Sequence, residues 1–165
     1  QVVSVLTNGF QQGIQPIIGF NFGARNMRRV RQAIRMAFVT QITSATALVS
    51  VLAAFPGFFA SWFTTEQTVI DIVTRMMPIF VCGWGVFGIQ LGAQCAFVGM
   101  GQARQSVFLA VFRKVILLVP LALLLPHWLG VDGIFIAEPI SDATSGMVAG
   151  LLFLITYRRI RRNLV

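Results

Sequence analysis

Four charged side chains stand inside long apolar runs of this sequence: Arg113, Lys114, Glu138 and Asp142. Glu138 and Asp142 are four residues apart, so on a helix they lie one turn apart and face the same way. In hydrocarbon a single charge at mid-depth costs about 2.5–3.5 kcal/mol even on the mildest scale, so such acids either perform a function or have a partner. As a functional pair they would relay protons or cations, or attract a cationic ligand. As a structural pair they would neutralise Arg113 or Lys114. Glu138 has a further option, solvation at the membrane interface behind Pro139.

Amides form the second group. Ser4, Asn8, Gln11, Gln12 and Gln15 follow helical spacing and share one face, with Val2, Leu6, Phe10, Ile14 and Ile17 opposite. Such a stripe must meet another helix or water. Asn8, Gln11 and Gln15 are therefore candidates to line a wet cavity, with hydrogen bonding between helices as the alternative. Gln90 and Gln94, one turn apart, carry the same two readings. Catalytic and metal chemistry find no residues: there is one histidine, His127, no metal-ligand spacing, and no nucleophile–base pairing. Cys82 and Cys95 read as small buried hydrophobes, because 13 residues of helix hold them about 20 Å apart, too far for a disulfide.

The elements that must position these residues follow from composition. Of 165 residues 56% are hydrophobic and 11% charged, and the mean hydropathy is +0.80. An ordinary soluble domain carries about 25% charged residues. Eighteen charged side chains cannot clothe an 18.1 kDa globule, which excludes a soluble enzyme. Disorder is excluded by the apolar content, including 15 Phe. The expected fold is all-α, a polytopic transmembrane bundle of about five spans, near residues 1–22, 36–62, 75–98, 105–125 and 134–157, the first truncated. Short links make neighbours antiparallel. Thr40, Thr43, Ala47 and Ser50 form a small-residue face suited to close packing, and so do Gly88 and Gly92. Pro16 and Pro139 are expected at kinks or helix starts.

The net charge of +8 is not spread as on a nucleic-acid-binding surface, and no polar platform would hold a nucleic acid. Arg25, Arg28, Arg29, Arg31, Arg35, Arg104, Arg158, Arg159, Arg161 and Arg162 fall on one side of the alternating links. Glu66, Asp71 and Asp132, with Arg75, fall on the other. That bias makes the basic side, with the C-terminus, cytoplasmic, in a multi-pass protein of the cytoplasmic membrane. The lipid bilayer is the expected partner. Depth also pairs charges. Arg113 lies about 13 Å beyond the turn at Arg104, and Asp142 about 15 Å beyond Asp132 on an antiparallel neighbour. In a core of about 30 Å the two meet, with Lys114 turned toward a cavity or snorkelling to the interface.

The run Gln12-Gly-Ile-Gln-Pro-Ile-Ile-Gly-Phe-Asn-Phe-Gly-Ala24, followed by a basic link, resembles the MATE (multidrug and toxic compound extrusion) transporters. Gly99-Met-Gly-Gln102, Arg113 and the stretch Gly133–Asp142 fit the same frame. The resemblance covers essentially the whole chain. It implies the C-terminal part of a two-lobe, twelve-helix transporter, with the N-terminal lobe as the missing partner. It implies export of drugs or toxic organic cations, as small-molecule substrates, by alternating access. No cofactor is implied beyond a coupling ion, H+ or Na+. One branch of the family carries a carboxylate in the span corresponding to 75–98. None stands there here, which favours the branch whose coupling acid lies in the first helix. Alternatives are a flippase for lipid-linked oligosaccharides, a non-transporting scaffold subunit, and, weakest, an intramembrane enzyme. The chain begins without Met inside an apolar pattern and reads as a fragment.

Overall fold

The computed structural model describes residues 2–164, and the side chains of all these except 2–6, 131, 161, 163 and 164. Among the described residues the regular structure is helical throughout, with no strand. Helix α1 is Val2–Gly23, α2 Met27–Ala54, α3 Pro56–Ser61, α4 Gln67–Cys82, α5 Trp84–Gly99 and α6 Ala103–Val111. A π-helical segment, Phe112–Leu118, joins α6 to α7, Val119–Leu129, and α8 runs Val131–Leu164.

Three helical stretches are long and apolar enough to cross a membrane: Met27–Ala54, Ala103–Leu129 and Asp132–Ile160. The pair α4 and α5 adds a fourth if read as one span bent by 44°. Helix α1, expected as a truncated first span, does not meet the same measure. Its amides explain this: Asn8, Gln11, Gln12, Gln15 and Asn21 depress the hydropathy of an otherwise apolar helix.

Several expected boundaries move for local reasons. The basic link expected over 23–33 shrinks to three residues, because Asn26 caps α2 by accepting from the Arg29 amide at 3.2 Å. Arg28, Arg29, Arg31 and Arg35 therefore ride on the first turns of α2. The span expected over 36–62 breaks at Phe55, and Pro56 starts α3, where its missing N–H costs nothing. The link expected over 126–133 is Gly130 alone, at φ +60°, a conformation other residues rarely adopt. Pro16 and Pro139 begin no helix, since α1 and α8 run uninterrupted through them. The C-terminal arginines extend α8 rather than forming a tail.

The break between α4 and α5 is set by packing. A Cβ on Gly83 would lie 2.6 Å from Pro139 Cα, so only glycine lets α8 cross there. Farther along α5, a Cβ on Gly88 would meet Ile42 Cα at 2.9 Å, and one on Gly92 the Phe38 ring at 2.7 Å. These two glycines seat α2. The small-residue face expected to do so points elsewhere: Thr43, Ala47 and Ser50 are exposed, and the Thr43 and Ser50 hydroxyls return to carbonyls of their own helix. The packed side of α2 is Val30, Ala33, Ile34, Ala37, Gln41 and Ala45. The main core gathers Ile18, Val30, Ala37, Phe97, Leu109 and Phe153 from α1, α2, α5, α6 and α8.

Candidate functional site

The π-helical segment carries Arg113 into the gap between α5 and α8. Arg113 Nε donates to Asp142 Oδ1 at 2.6 Å, and its Nη2 reaches the same oxygen at 2.6 Å and Glu138 Oε1 at 3.2 Å. The guanidinium carbon sits 4.1 Å from the centre of the Phe87 ring, a cation–π contact contributed by α5. Its side chain is 13% exposed, that of Asp142 fully buried and that of Glu138 29% exposed. One cation therefore meets two acids at the junction of three elements.

The π-helical winding also shifts the backbone carbonyls of this segment from the usual i→i−4 pattern to i→i−5, as where the Val119 N–H donates to the Lys114 carbonyl. One of them, the Arg113 carbonyl, accepts a hydrogen bond from Ser141 Oγ at 3.0 Å. Both ends of Arg113 are thus fastened to α8, side chain to Glu138 and Asp142, backbone to Ser141. Ser145 Oγ donates to the Asp142 carbonyl at 3.1 Å. Asp142 Oδ2 is buried with no hydrogen-bond partner among the described residues. An anionic oxygen left so in low dielectric is costly, so this oxygen is the unused capacity of the cluster.

The neighbouring Lys114 is exposed, rotated away from α8 as two successive helical positions must be. Gln90 is buried with its Oε1 unpartnered, inside packed helix rather than on an open wall, whereas Gln94 is half-buried. On α1, Asn8 is exposed, and Gln11 and Gln15 are half-buried beside α5, where the Cys95 thiol lies 4.0 Å from the Gln11 carbonyl. The packed side of α1 borders this amide stripe and carries Thr7, Ile18 and Asn21. Gln41 of α2 donates to the Thr7 carbonyl at 3.0 Å, a buried bond between helices that the sequence reading missed. The signal was an amide flanked by apolar residues at 38 and 45, on the heptad-like packed side of α2. Cys95 is buried as expected; Cys82 is exposed, and both are free.

At the opposite end from the arginine cluster, Arg75 pairs with Asp132 at 2.5 Å, tying α4 to the start of α8. Its charges are largely exposed, so it steers packing more than it stabilises.

The sequence matches the model of the MatE family over residues 1–124. The chain belongs to the MatE family. Its members, the MATE proteins, are transporters embedded in membranes, and an enzymatic reading falls away. A curated relative from Shewanella oneidensis, called an FAD transporter, is 27% identical over 146 residues, 88% of this chain and 32% of its own length. Among solved structures, a mutant of the Vibrio cholerae MATE transporter VcmN superposes with TM-score 0.86 at 22% identity, over 96% of this chain and 36% of its own. The MATE multidrug transporter DinF-BH superposes with TM-score 0.86 at 30% identity, over 92% and 34%. The chain thus spans about a third of the length of these MATE relatives.

Proposed function

We propose that this chain is part of one lobe of an ion-coupled antiporter that exports organic cations or other drug-like amphiphiles by alternating access. The coupling ion is H+ or Na+, and its carboxylate lies outside this chain. Supporting this is the occupancy of the intramembrane acids: Glu138 and Asp142 both face Arg113, and α5 holds no acid. Neither acid is free to act as an open cation site while Arg113 holds it. In this reading the Arg113 cluster locks α8 to the span Ala103–Leu129, so that these helices move as one body. The lobe sits in the cytoplasmic membrane with its arginine-rich end in the cytoplasm, following the charge bias of the links.

The test is dye efflux from proteoliposomes holding the intact transporter under an imposed proton or Na+ gradient. Efflux that collapses with the gradient is expected; uptake indifferent to either ion would overturn the reading. A second reading, transport of a flavin dinucleotide, is favoured by the Shewanella oneidensis relative called an FAD transporter. Counterflow of FAD in the same vesicles, in place of dye efflux, would establish it.

A further inference from the structure

The last turns of α8 carry a surface that neither the charge cluster nor the bundle uses. On a helical projection, Leu151, Ile155, Arg158, Arg159 and Arg162 fall within about a third of the circumference. The side of α8 facing the core, Ala149 and Phe153, lies opposite. Leu151 and Ile155 are 62% and 65% exposed. Ile155 and the three arginines line an open cleft of about 580 Å³. The three arginines are exposed and in no ion pair among the described residues.

No acid of this chain is placed to pair with them. The chain's five acids are Glu66, Asp71, Asp132, Glu138 and Asp142. The first three lie toward the other end of the bundle, and the last two are engaged by Arg113. Arg25, Arg28, Arg29 and Arg104 are exposed at the same end as the cleft, so its field is positive with no internal counter-charge. Planar guanidinium groups bind phosphate with two parallel hydrogen bonds. The exposed aliphatic side chains begin directly beneath them, about 5–10 Å along the helix axis.

We propose that this face of α8 is a binding site for an anionic phospholipid. Its phosphate is held by Arg158, Arg159 and Arg162, and its acyl chains lie along Ile155 and Leu151. The occupant is a lipid rather than free phosphate because the basic cleft opens onto an apolar stripe of the same helix, which a free anion would not use. Basic clusters at the end of a membrane helix supply the attraction to anionic headgroups.

The test uses the intact transporter in nanodiscs or detergent, titrated with cardiolipin, with phosphatidylethanolamine and with inorganic phosphate. Cardiolipin is expected to bind in preference to phosphatidylethanolamine. The pair Arg158→Gln and Arg162→Gln should weaken it about 30-fold, the size expected for two basic residues lost near an anionic surface. Arg158→Lys with Arg162→Lys should keep most of the affinity, which separates loss of charge from loss of fold. Leu151→Ala with Ile155→Ala should weaken cardiolipin and leave any phosphate competition unchanged. Cardiolipin binding unaffected by the glutamine pair would overturn the site. So would an intact transporter that binds no cardiolipin because protein covers this face. Displacement by phosphate with no effect of the alanine pair would make it a free-anion site and overturn the lipid assignment.

Discussion

At the scale of residues, the arrangement around Arg113 makes the two ends of the pair unequal. Removing Arg113 leaves Glu138 and Asp142 facing each other with no cation, and Asp142 has no water to turn to. Removing Asp142 leaves Arg113 with Glu138, which is part exposed and can share the load. Arg113→Ala is therefore expected to cost more than Asp142→Ala. Breaking a buried pair by removing one partner costs about 3–5 kcal/mol, the upper end of which suits Arg113→Ala. The double variant should lose less than the sum of the two, read as melting temperature of the purified protein; additive losses would break the pairing. Ser141→Ala should cost about 1 kcal/mol through the lost bond to the Arg113 carbonyl. The contact of Arg113 with Asp142 was legible in the sequence because depth in a bilayer is arithmetic: 1.5 Å per residue from each interface. The Ser141 bond was not, because a serine hydroxyl can turn to its own helix, as Ser145 does, or to a neighbour, and spacing does not choose between them.

At the scale of elements, two irregularities place the cluster, and neither leaves a pattern in composition. One is the break at Gly83, where α8 crosses with Pro139 against the glycine. The other is the π-helical segment, which contains one residue more than an α-helix would need. Hydropathy sees the span as one run through both, which is why spans were legible and their interior geometry was not. The existence of helices followed from apolar length and charge spacing, whereas ends followed from single caps such as Asn26 and Pro56 that shift a boundary by several residues. The amide stripe of α1 was visible by its spacing, but the buried Gln41–Thr7 bond that seats α1 on α2 was not, since spacing does not say which neighbour a helix meets. Deleting Ile116 should return the segment to α-helix. With α7 still held to α8, where Gly133 meets Leu125, Arg113 would then rotate by about 100° away from Asp142. The expected loss of melting temperature matches that of Arg113→Ala, and adding Arg113→Ala to the deletion should cost little more. A deletion variant still destabilised in full by Arg113→Ala would show that the winding does not aim the side chain. On the other side of α5, Gly92→Leu should overpack against Phe38 and cost about 1–3 kcal/mol, measured by the same melting curves.

At the scale of the whole molecule, charge decides how the bundle sits in the bilayer. The helices alternate direction, and the core brings the end of α1, the starts of α2 and α6, and the last turns of α8 to one end. Arg25, Arg28, Arg29, Arg31, Arg35, Arg104, Arg158, Arg159 and Arg162 are exposed toward that end, whereas the other end holds Glu66, Asp71 and the Arg75–Asp132 pair. Lys and Arg resist translocation, and acids contribute little, so the basic end is expected to stay in the cytoplasm. The measurement is cysteine accessibility in the intact transporter expressed in cells. Cys82 is exposed and must first become serine, while buried Cys95 can remain. On that background, Ala103→Cys lies at the exposed start of α6, and Thr65→Cys in the exposed link between α3 and α4. A membrane-impermeant maleimide added outside should label residue 65 and spare 103 until the cells are opened, when 103 should label in turn. Labelling of 103 in intact cells with 65 protected would invert the lobe. The lipid-binding face of α8 would then sit in the outer leaflet, and the anionic lipids of the cytoplasmic leaflet could not reach it.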